Sequence, residues 1–480
     1  SLGIYSFLTR KTEKVPNIKS YKVPEKAGDW VAYQLEAKKE EKTKADGQLE
    51  SDKAKKLRKN NDDNGYTLVL RKLSDGKETS FDFVTEYQFA KFGQGLLFST
   101  TGNLPSLEAG VYWYDLQNEK LNPLYKGHPK FKYKGLSISE SGDQSAFLVD
   151  SDTTKALVRH FKLYHWKKGD ALAQSFDLAT GTHFPKDWIL SQHYTPLFSK
   201  KGDKLFVGTA PIPVVQDTTL LPEEIVSVEV WHSEDAYIYP MQNVSLDDDR
   251  KKSYLAAISL SDKKMTQLGD EAVPQVQTGD EGNSNILFGK TNVPYLKAIT
   301  WEGNVPQDLY LFDLQSASKK KIANEIRGYT NLSPKANYVY WYSEPDTAWF
   351  AYSIKTEKTV NLTAGLNVTF ADELDDHPDY PGRYGEAGWT TDDDMFIAYD
   401  RYDMWAFDPQ GNKPPINLTK IGRQQKIVFR YVKLDKEERN IDTSKELLLS
   451  AFDETTKASG FYTLSLKNEK LTKRIMDDFR

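Results

Sequence analysis

The sequence of 480 residues contains no cysteine. Neither a disulfide framework nor a thiolate metal site can therefore form, and this absence is compatible with an oxidising compartment such as the periplasm. No apolar run approaches the roughly 20 residues that a membrane-spanning helix needs, and the N-terminus lacks the basic-then-apolar pattern of a signal peptide. We expect a periplasmic or secreted protein without a membrane segment.

The chain also lacks a strong excess of either charge. Its 64 basic and 69 acidic residues give a net charge of −5 and are mixed along the sequence. A nucleic-acid-binding protein or one attracted to an anionic membrane concentrates basic residues on one surface. The charge pattern therefore predicts neither a nucleic-acid partner nor a membrane partner.

Aromatic residues are abundant, at 12% of the chain, whereas methionine occurs only five times. Short aromatic and β-branched runs, each followed by a polar turn, recur at about 40–60 residues, which is typical of β-propeller blades. These runs are Gly3–Leu8, Gly110–Leu116, Asp308–Leu314, Ala348–Ile354, Asp403–Pro409 and Gly460–Leu466.

A second recurrent pattern lies between these runs. Here a Ser, Gly, Asp or Asn turn separates two apolar strands, and these residues favour tight hairpins. We predict an all-β β-propeller of four-stranded blades, eight in number, with seven as the alternative. The hairpins are Leu136–Asp143, Leu197–Asp203, Leu332–Asn337 and Trp389–Asp394.

We predict a single propeller domain over residues 1–480 that begins in the middle of a blade, as a fragment would. Two segments interrupt the repeat. Residues 38–64 are almost free of apolar side chains and are predicted to be a charged insertion. Residues 210–250 hold four prolines and several aromatic residues, and are predicted to form an extended arm or elongated strands that pack on something.

No catalytic constellation emerges from the sequence. A hydrolase elbow needs Gly-x-Ser-x-Gly, and the nearest match, Gly135–Ser139, lacks the second glycine and lies in a hairpin. The histidines show no metal-binding spacing, and the acidic loop Asp372–Tyr384 is better explained as solvated. We predict no metal and no cofactor. Adjacent carboxylates at Glu223 and Glu224 are the candidate substrate-binding residues, because such a pair could hold an α-ammonium group.

Several of these motifs together resemble the N-terminal propeller of bacterial serine peptidases of the prolyl oligopeptidase family, particularly the dipeptidyl-peptidase-like members. In that family the propeller covers a C-terminal α/β-hydrolase domain that carries the Ser-His-Asp triad, and it screens out large substrates. The motifs that carry the resemblance are Val228–His232, Gly388–Asp393, Tyr399–Trp405 and Asn417–Arg423.

The resemblance implies a non-catalytic propeller that gates and shapes the active site of a serine exo- or oligopeptidase acting on short peptides. The triad and the hydrolase domain are absent from this sequence, so the chain by itself is expected to be inactive. Its partners would be that α/β-hydrolase domain, a short peptide and, as an option, a second copy in a homodimer. Dipeptidyl peptidases use a Glu-Glu pair for the substrate N-terminus, although the residues around Glu223 and Glu224 differ from that motif. The alternative hypothesis is a stand-alone propeller that binds a protein or a glycan.

Overall fold

The structure is a computed structural model, and it describes residues 1–36, 58–154, 156–176, 184–215, 217–226 and 228–479. Antiparallel strands make up most of the regular structure. The described chain falls into two compact units. Unit 1 comprises Ser1–Val228 and Val244–Leu268, and unit 2 comprises Glu229–Asn243 and Gly269–Arg480.

Unit 1 begins with a two-stranded hairpin, followed by a seven-stranded antiparallel sheet. The hairpin strands are β1 (Leu2–Ser6) and β2 (Lys11–Val15). The sheet runs through β3 (Ile18–Lys22), β4 (Trp30–Leu35), β5 (Tyr66–Lys72), β6 (Glu78–Phe89), β7 (Gly95–Thr100), β8 (Gly110–Asp115) and β9 (Lys120–Lys126).

Strand β6 belongs to two four-stranded meanders. Its first part, from Glu78, pairs with β5, whereas its last part, from Val84 to Phe89, pairs with β7. Between the two parts Phe83 has a φ of 51°, a left-handed conformation that bends the strand. We call β3 to β6 meander 1 and β6 to β9 meander 2.

Meanders 3 and 4 complete unit 1. Meander 3 comprises β10 (Lys132–Ile138), β11 (Gln144–Asp150), β12 (Lys162–Lys167) and β13 (Gln174–Ser175). In meander 4 the inner edge is split between β14 (Trp188–Leu190) and β15 (Leu197–Phe198), which both pair with β16 (Lys204–Pro211), and β17 (Tyr254–Ser259) and β18 (Met265–Gln267) follow.

Unit 2 contains four meanders with the strand order of the chain. Meander 5 has β19 (Gln275–Thr278), β20 (Ile286–Thr291), β21 (Gln307–Asp313) and β22 (Ser318–Ile326), and meander 6 has β23 (Thr330–Leu332), β24 (Tyr338–Ser343), β25 (Ala348–Ser353) and β26 (Thr359–Asn361). Meander 7 has β27 (Glu386–Trp389), β28 (Phe396–Tyr399), β29 (Met404–Phe407) and β30 (Ile416–Asn417), and meander 8 has β31 (Ile427–Tyr431), β32 (Glu446–Asp453), β33 (Ser459–Ser465) and β34 (Lys470–Asp477).

Helical structure is sparse in the described residues. The α-helices are α1 (Tyr239–Asp249), α2 (Ile299–Glu302) and α3 (Gly422–Gln425). The 3₁₀ turns are Pro222–Glu224, Asp280–Gly282, Val293–Ala298 and Thr391–Asp393. None of the described helices is long and apolar enough to cross a membrane.

Within each unit, the hydrophobic cores lie between successive meanders. Side chains alternate along a strand, so Ala146 and Leu148 of β11 pack toward meander 4, whereas Phe147 and Val149 pack toward meander 2. Strand β24 does the same in unit 2, with Tyr340 in one cluster and Trp341 in the other. Both faces of a middle blade are therefore buried, which explains why these strands are apolar without interruption.

The prediction of an all-β β-propeller fold built from four-stranded antiparallel blades is confirmed. All four predicted inner hairpins are present, for example β10–β11 around Gly142 and β23–β24 around Ala336. The number of blades in a closed ring stays a prediction, as does the single domain over 1–480.

The structure bears differently on the predictions for the two interrupting segments. Most of the charged insertion predicted at 38–64 lies outside the described residues. Its end is anchored, because the Arg58 guanidinium lies 4.6 Å from the Phe83 ring centroid and donates to the carbonyl of Gly102 at 2.9 Å. For residues 210–250, the prediction of elongated strands was wrong over Tyr239–Asp249, because these residues form helix α1. Pro240 in its first turn suits a helix start, since no intrahelical donor is lost there.

Candidate functional site

Glu223 and Glu224 lie in the long connection between β16 and β17, on the 3₁₀ turn Pro222–Glu224. Pro222 begins this turn with its φ already restricted. The Glu224 carboxylate accepts a hydrogen bond from the backbone N–H of Leu221 at 2.8 Å, and both glutamates are exposed. The Glu223 carboxylate is thus presented to solvent while Glu224 also stabilises its own turn. Their role in binding a substrate stays a prediction.

Four arginine–carboxylate pairs of unit 2 lie at one end of its meanders. In an antiparallel meander, the turn between the second and third strands and the connection to the next meander lie at the same end of the sheet. That end carries four arginines in unit 2, and we call it the arginine end. Its arginines are Arg327, Arg383, Arg401 and Arg423.

Arg401 joins the turns of two neighbouring meanders. Its guanidinium Nη2 contacts both carboxylate oxygens of Glu454, at 3.0 and 2.9 Å, and the Tyr402 hydroxyl donates to the same carboxylate at 2.7 Å. Burial raises the pKa of Glu454, but the hydrogen bonds from Tyr402 and Arg401 outweigh burial, so the pKa lies below its usual value. The contact holds the β28–β29 turn against the β32–β33 turn.

Two buried carboxylates shape the backbone beneath this contact. Asp400 accepts hydrogen bonds from the N–H groups of Tyr402 and Asp403, at 2.6 and 2.8 Å, and from the Trp405 indole at 3.0 Å. Asp403 reaches the following connection, where it accepts from the N–H groups of Gly422 at 2.8 Å and Arg423 at 3.0 Å. These bonds explain the Tyr399–Trp405 and Asn417–Arg423 motifs as a turn with its anchor.

Gly422 belongs to the same anchor. A Cβ atom at this position would lie 2.5 Å from Asp403 Oδ1, which is too close for any real contact. The glycine therefore permits the close approach of backbone and carboxylate. It is required by the buried carboxylate rather than by a bound ligand.

Arg423 ties the acidic loop Asp372–Tyr384 to the arginine end. Its guanidinium nitrogens lie 3.2 and 3.3 Å from the two Glu373 oxygens, and the Tyr384 hydroxyl accepts from the Glu373 N–H at 2.7 Å. The ligand atoms of Asp375, Asp376 and His377 approach one another within 4.8 Å but are exposed. A hydrogen bond from His377 lowers the pKa of Asp375, which is what a solvated carboxylate–imidazole pair would show.

The remaining two arginines are also engaged. The Arg383 guanidinium stacks 3.8 Å from the Tyr329 ring centroid, and its Nε lies 3.3 Å from Glu386 Oε2. Arg327 donates to Glu302 at 2.5 Å and to the Asn304 carbonyl at 2.8 Å. All four arginines at this end are thus held by carboxylates of unit 2, as charge-assisted hydrogen bonds that fix their direction.

The hairpin serine nearest to a hydrolase motif has a structural role. The Ser139 hydroxyl donates to Asp143 at 3.0 Å and accepts from the Gln144 N–H at 3.1 Å, which closes the β10–β11 turn. His165 lies in the same meander, where its Nε2 contacts Gln144 Oε1 at 2.8 Å. Burial lowers the pKa of His165, so the imidazole is held neutral inside the blade.

A second feature of unit 2 is an aromatic cleft of about 380 Å³. One wall is formed by residues 231–239 and the other by the loop between β20 and β21. Trp231 and Trp301 line it with 65% and 72% of their surface exposed. The sequence predicted that the aromatic residues of the 210–250 segment pack on something, but it pointed to neither Trp301 nor the cleft. The signal available in the sequence was the apolar and aromatic segment Val293–Trp301 between two predicted strands.

Comparison with known proteins supplies structural neighbours only. The chain matches no protein-family model and no curated protein. Among solved structures, the β-propeller domain of the Trilobed protease from Pyrococcus furiosus aligns over 96% of this chain and 99% of that chain, at 9% identity and a TM-score of 0.27. The Porphyromonas gingivalis dipeptidyl peptidase 4 aligns over 86% of this chain and 58% of that chain, at 13% identity and a TM-score of 0.40.

The matched structures thus include propellers of the peptidase family that the sequence resembles. They also include an oligogalacturonate lyase in complex with manganese, over 72% of this chain and 83% of that one, at 9% identity and a TM-score of 0.31. The chain spans about half of the length of the full peptidases that it matches, 46% of a prolyl endopeptidase chain and 58% of the dipeptidyl peptidase. The class of the protein, an all-β protein of propeller blades, rests on its own sheets.

Proposed function

We propose that the chain is the non-catalytic propeller domain of a serine peptidase that acts on short peptides. The domain would limit access to the active site and complete its walls. Bond cleavage would belong to an α/β-hydrolase domain encoded outside these 480 residues. Because the cysteine-free chain tolerates an oxidising compartment, we further propose that the protein works in the periplasm or outside the cell.

The observation that carries this proposal is the arginine end of unit 2. Interfaces between domains of one chain are more polar than obligate interfaces and form and separate more easily. The Arg401–Glu454 and Arg423–Glu373 pairs present oriented, partly exposed charges of this kind. They supply a preformed polar surface against which a second domain can dock without ordering new side chains.

Glu223 and Glu224 are proposed to hold the free α-ammonium group of the peptide. The attraction between a carboxylate and an ammonium group becomes stronger when both are enclosed in a cavity from which water is excluded. The 3₁₀ turn fixes the spacing of the two carboxylates, and the Glu224 bond to Leu221 limits its rotation.

The test is to sequence the gene beyond codon 480 and to assay the complete protein. A Gly-x-Ser-x-Gly elbow followed by Asp and His is expected. The chain 1–480 by itself should hydrolyse no peptide amide. In the complete protein, Glu223→Gln and Glu224→Gln should each raise KM about tenfold for dipeptide amides with a free amino terminus, and should leave N-acetylated substrates unaffected.

Glu271→Gln is the matched control, since it removes one exposed carboxylate elsewhere in the chain and should change no kinetic constant. An immediate stop codon, or turnover by 1–480 that a serine-directed reagent blocks, would refute the proposal. The second candidate function, a stand-alone propeller that binds a protein or a glycan, is favoured by the exposed tryptophans of the aromatic cleft and would be supported by that stop codon.

A further inference from the structure

The aromatic cleft of unit 2 has an unusual lining for a surface. Four aromatic side chains face it, namely Trp231, Tyr237, Tyr239 and Trp301. The ring centroids of Trp231 and Tyr239 are 5.5 Å apart, with their planes inclined by 32°. Both tryptophans are mostly exposed, whereas large aromatic residues ordinarily bury most of their surface. Several exposed aromatic rings gathered in one cleft make it a candidate binding site.

One wall of the cleft is anchored to a buried carboxylate, and a solvent-exposed ion pair connects it to the other wall. Asp308, at the start of β21, accepts from the Tyr295 hydroxyl and from Lys321 Nζ, each at 2.6 Å. Tyr295 belongs to the 3₁₀ helix Val293–Ala298, which leads directly into α2 with Trp301. Lys297 of the same helix forms an ion pair with Glu234 on the opposite wall. The cleft is therefore held open by its own structure and needs no ligand to assemble it.

The charge around the cleft is negative. Asp235 lines it, Glu234 is neutralised by Lys297, and a hydrogen bond to Glu229 raises the pKa of Tyr239. Asp235 and Lys297 are the carboxylate and the ammonium group that line the cleft. Glu234 offsets the charge of Lys297, and Glu229 contacts a lining ring from outside, so Asp235 is left as the uncompensated charge. The exposed ring faces add the negative quadrupole of aromatic systems. An anionic ligand would meet repulsion from both sources. A cation would be attracted by both.

We propose that the cleft binds an organic cation, the guanidinium or alkylammonium group of an arginine or lysine side chain carried by a peptide. Aromatic faces beside a carboxylate are a favourable site for such a group, since cation–π attraction adds to charge pairing. A volume of about 380 Å³ admits one long side chain and excludes a folded domain. Binding of such a peptide at the cleft does not depend on the proposed hydrolase domain.

The proposal is tested by titrating the chain 1–480 with N-acetyl-arginine amide and N-acetyl-lysine amide, followed by tryptophan fluorescence and calorimetry. The uncharged controls are the citrulline and norleucine analogues. The cations should bind at least about fivefold more tightly than these controls, and the difference should shrink at high salt. Trp231→Ala and Trp301→Ala should each weaken binding about tenfold, and Asp235→Asn should weaken it severalfold.

Phe7→Ala removes an exposed aromatic ring that is distant along the chain from the cleft residues and should leave binding unchanged. Trp301→Phe keeps an aromatic face and should retain part of the affinity even if the alanine variant folds poorly. Equal binding of the uncharged analogues, or no binding at 10 mM cation (on the order of a few kcal/mol of affinity), overturns the proposal. So does preferential binding of methyl glucoside or cellobiose, or a dimer that Trp301→Ala dissociates. Peptide hydrolysis by the complete protein tests the proposed function separately.

Discussion

At the scale of single residues, the buried carboxylates of unit 2 serve the fold. Asp400, Asp403, Asp308 and Asp393 are each almost fully buried, and each accepts several hydrogen bonds. A buried charge without such donors would be strongly destabilising. Asp393, for example, accepts from the Ser333 hydroxyl at 2.7 Å and thereby joins meander 7 to the hairpin of meander 6. These residues would stand out in a search for catalytic acids, yet their partners are turns of their own unit.

Asp308→Asn is expected to destabilise unit 2 by about 2 kcal/mol, because the buried carboxylate accepts from Tyr295, from the half-exposed Lys321 and from the Glu325 N–H, and an amide replaces these bonds only in part. Burial raises the pKa of Asp308, but the bonds from Lys321 and Tyr295 outweigh it, so the pKa lies below its usual value and the aspartate is charged. Urea unfolding followed by tryptophan fluorescence measures the loss. The substitution should also weaken cation binding at the aromatic cleft, because Tyr295 loses its anchor.

Asp313→Asn, at the other end of β21, is the control for this change. Asp313 accepts only from the neighbouring Gln315 and Ser316, at 2.9 and 2.8 Å. An asparagine can replace these bonds, so a loss below about 1 kcal/mol is expected. Equal losses for the two variants would contradict the expectation that the hydrogen bonds to the buried Asp308 carboxylate contribute more than those to Asp313.

At the scale of elements, the inner hairpins share one design. A buried hydroxyl closes the turn by accepting from the strand that follows, at Ser139, Ser199, Ser333 and Thr390. A left-handed residue occupies the tip, at Gly142, Gly202, Ala336 and Asp393. Because Ala336 and Asp393 adopt this conformation, the backbone alone does not demand glycine.

Glycine instead leaves room for a glutamine side chain where the preceding meander touches the tip. The side-chain amide of Gln144 donates to the Gly202 carbonyl at 2.9 Å, and Gln94 does the same to Ser141 beside Gly142, at 3.0 Å. A Cβ on Gly202 would lie 2.7 Å from Gln144 Nε2. The side chains of Gln94 and Gln144 therefore connect successive meanders of unit 1 by hydrogen bonds.

Gly202→Ala is expected to destabilise unit 1 by about 2 kcal/mol, whereas Gly76→Ala should cost about 1 kcal/mol. Both glycines have nearly the same φ, 70° and 72°, but the nearest atom to a Cβ at Gly76 is 3.7 Å away. The excess for Gly202 should disappear in a Gln144→Ala background, where the blocked side chain is absent. An excess that persists there would assign the effect to the backbone.

At the scale of the whole molecule, each unit is held together by contacts between neighbouring meanders. Cores such as the Tyr338, Trp389 and Phe396 cluster are shared by two sheets, and the Tyr338 and Trp389 rings stack 5.3 Å apart. The Arg401–Glu454 contact adds a charged link between meanders 7 and 8 at the arginine end.

The Arg401–Glu454 link should depend on pH. Since the folded pKa of Glu454 is lowered, its stabilisation is present above the unfolded value, near pH 4.5, and is lost as the pH falls through the folded pKa. A double-mutant cycle of Arg401→Ala and Glu454→Ala should give about 1 kcal/mol of coupling at pH 7 and less at pH 3.

The same cycle on Arg474 and Glu446 is the control. This pair lies at 2.9 Å but both side chains are more than half exposed, so its coupling should be only a few tenths of a kcal/mol at pH 7. Coupling of Arg401 with Glu454 that does not change with pH would contradict the charge assignment.

Much of the fold could be predicted because its determinants are local. The hairpin at Leu332–Asn337 is specified by a serine, a tight turn and two apolar strands that are close together along the chain, and it was located correctly. Helix α1 was missed, because aromatic density around Tyr237 favoured strands and its polar sequence carries no apolar stripe. The four arginines could not be paired from sequence, since Arg401 and Glu454 are 53 residues apart.

Sequence alone therefore determined the type of repeat, because strand alternation and turn chemistry act between residues that are close along the chain. Tertiary structure decided which charges meet and where aromatic residues stay exposed. Glu373 meets Arg423 only because the connections before meanders 7 and 8 lie at the same end of unit 2. Trp301 lines the same cleft as Trp231 because unit 2 brings together two segments that are distant along the chain. Such encounters depend on how blades pack, which no local pattern records.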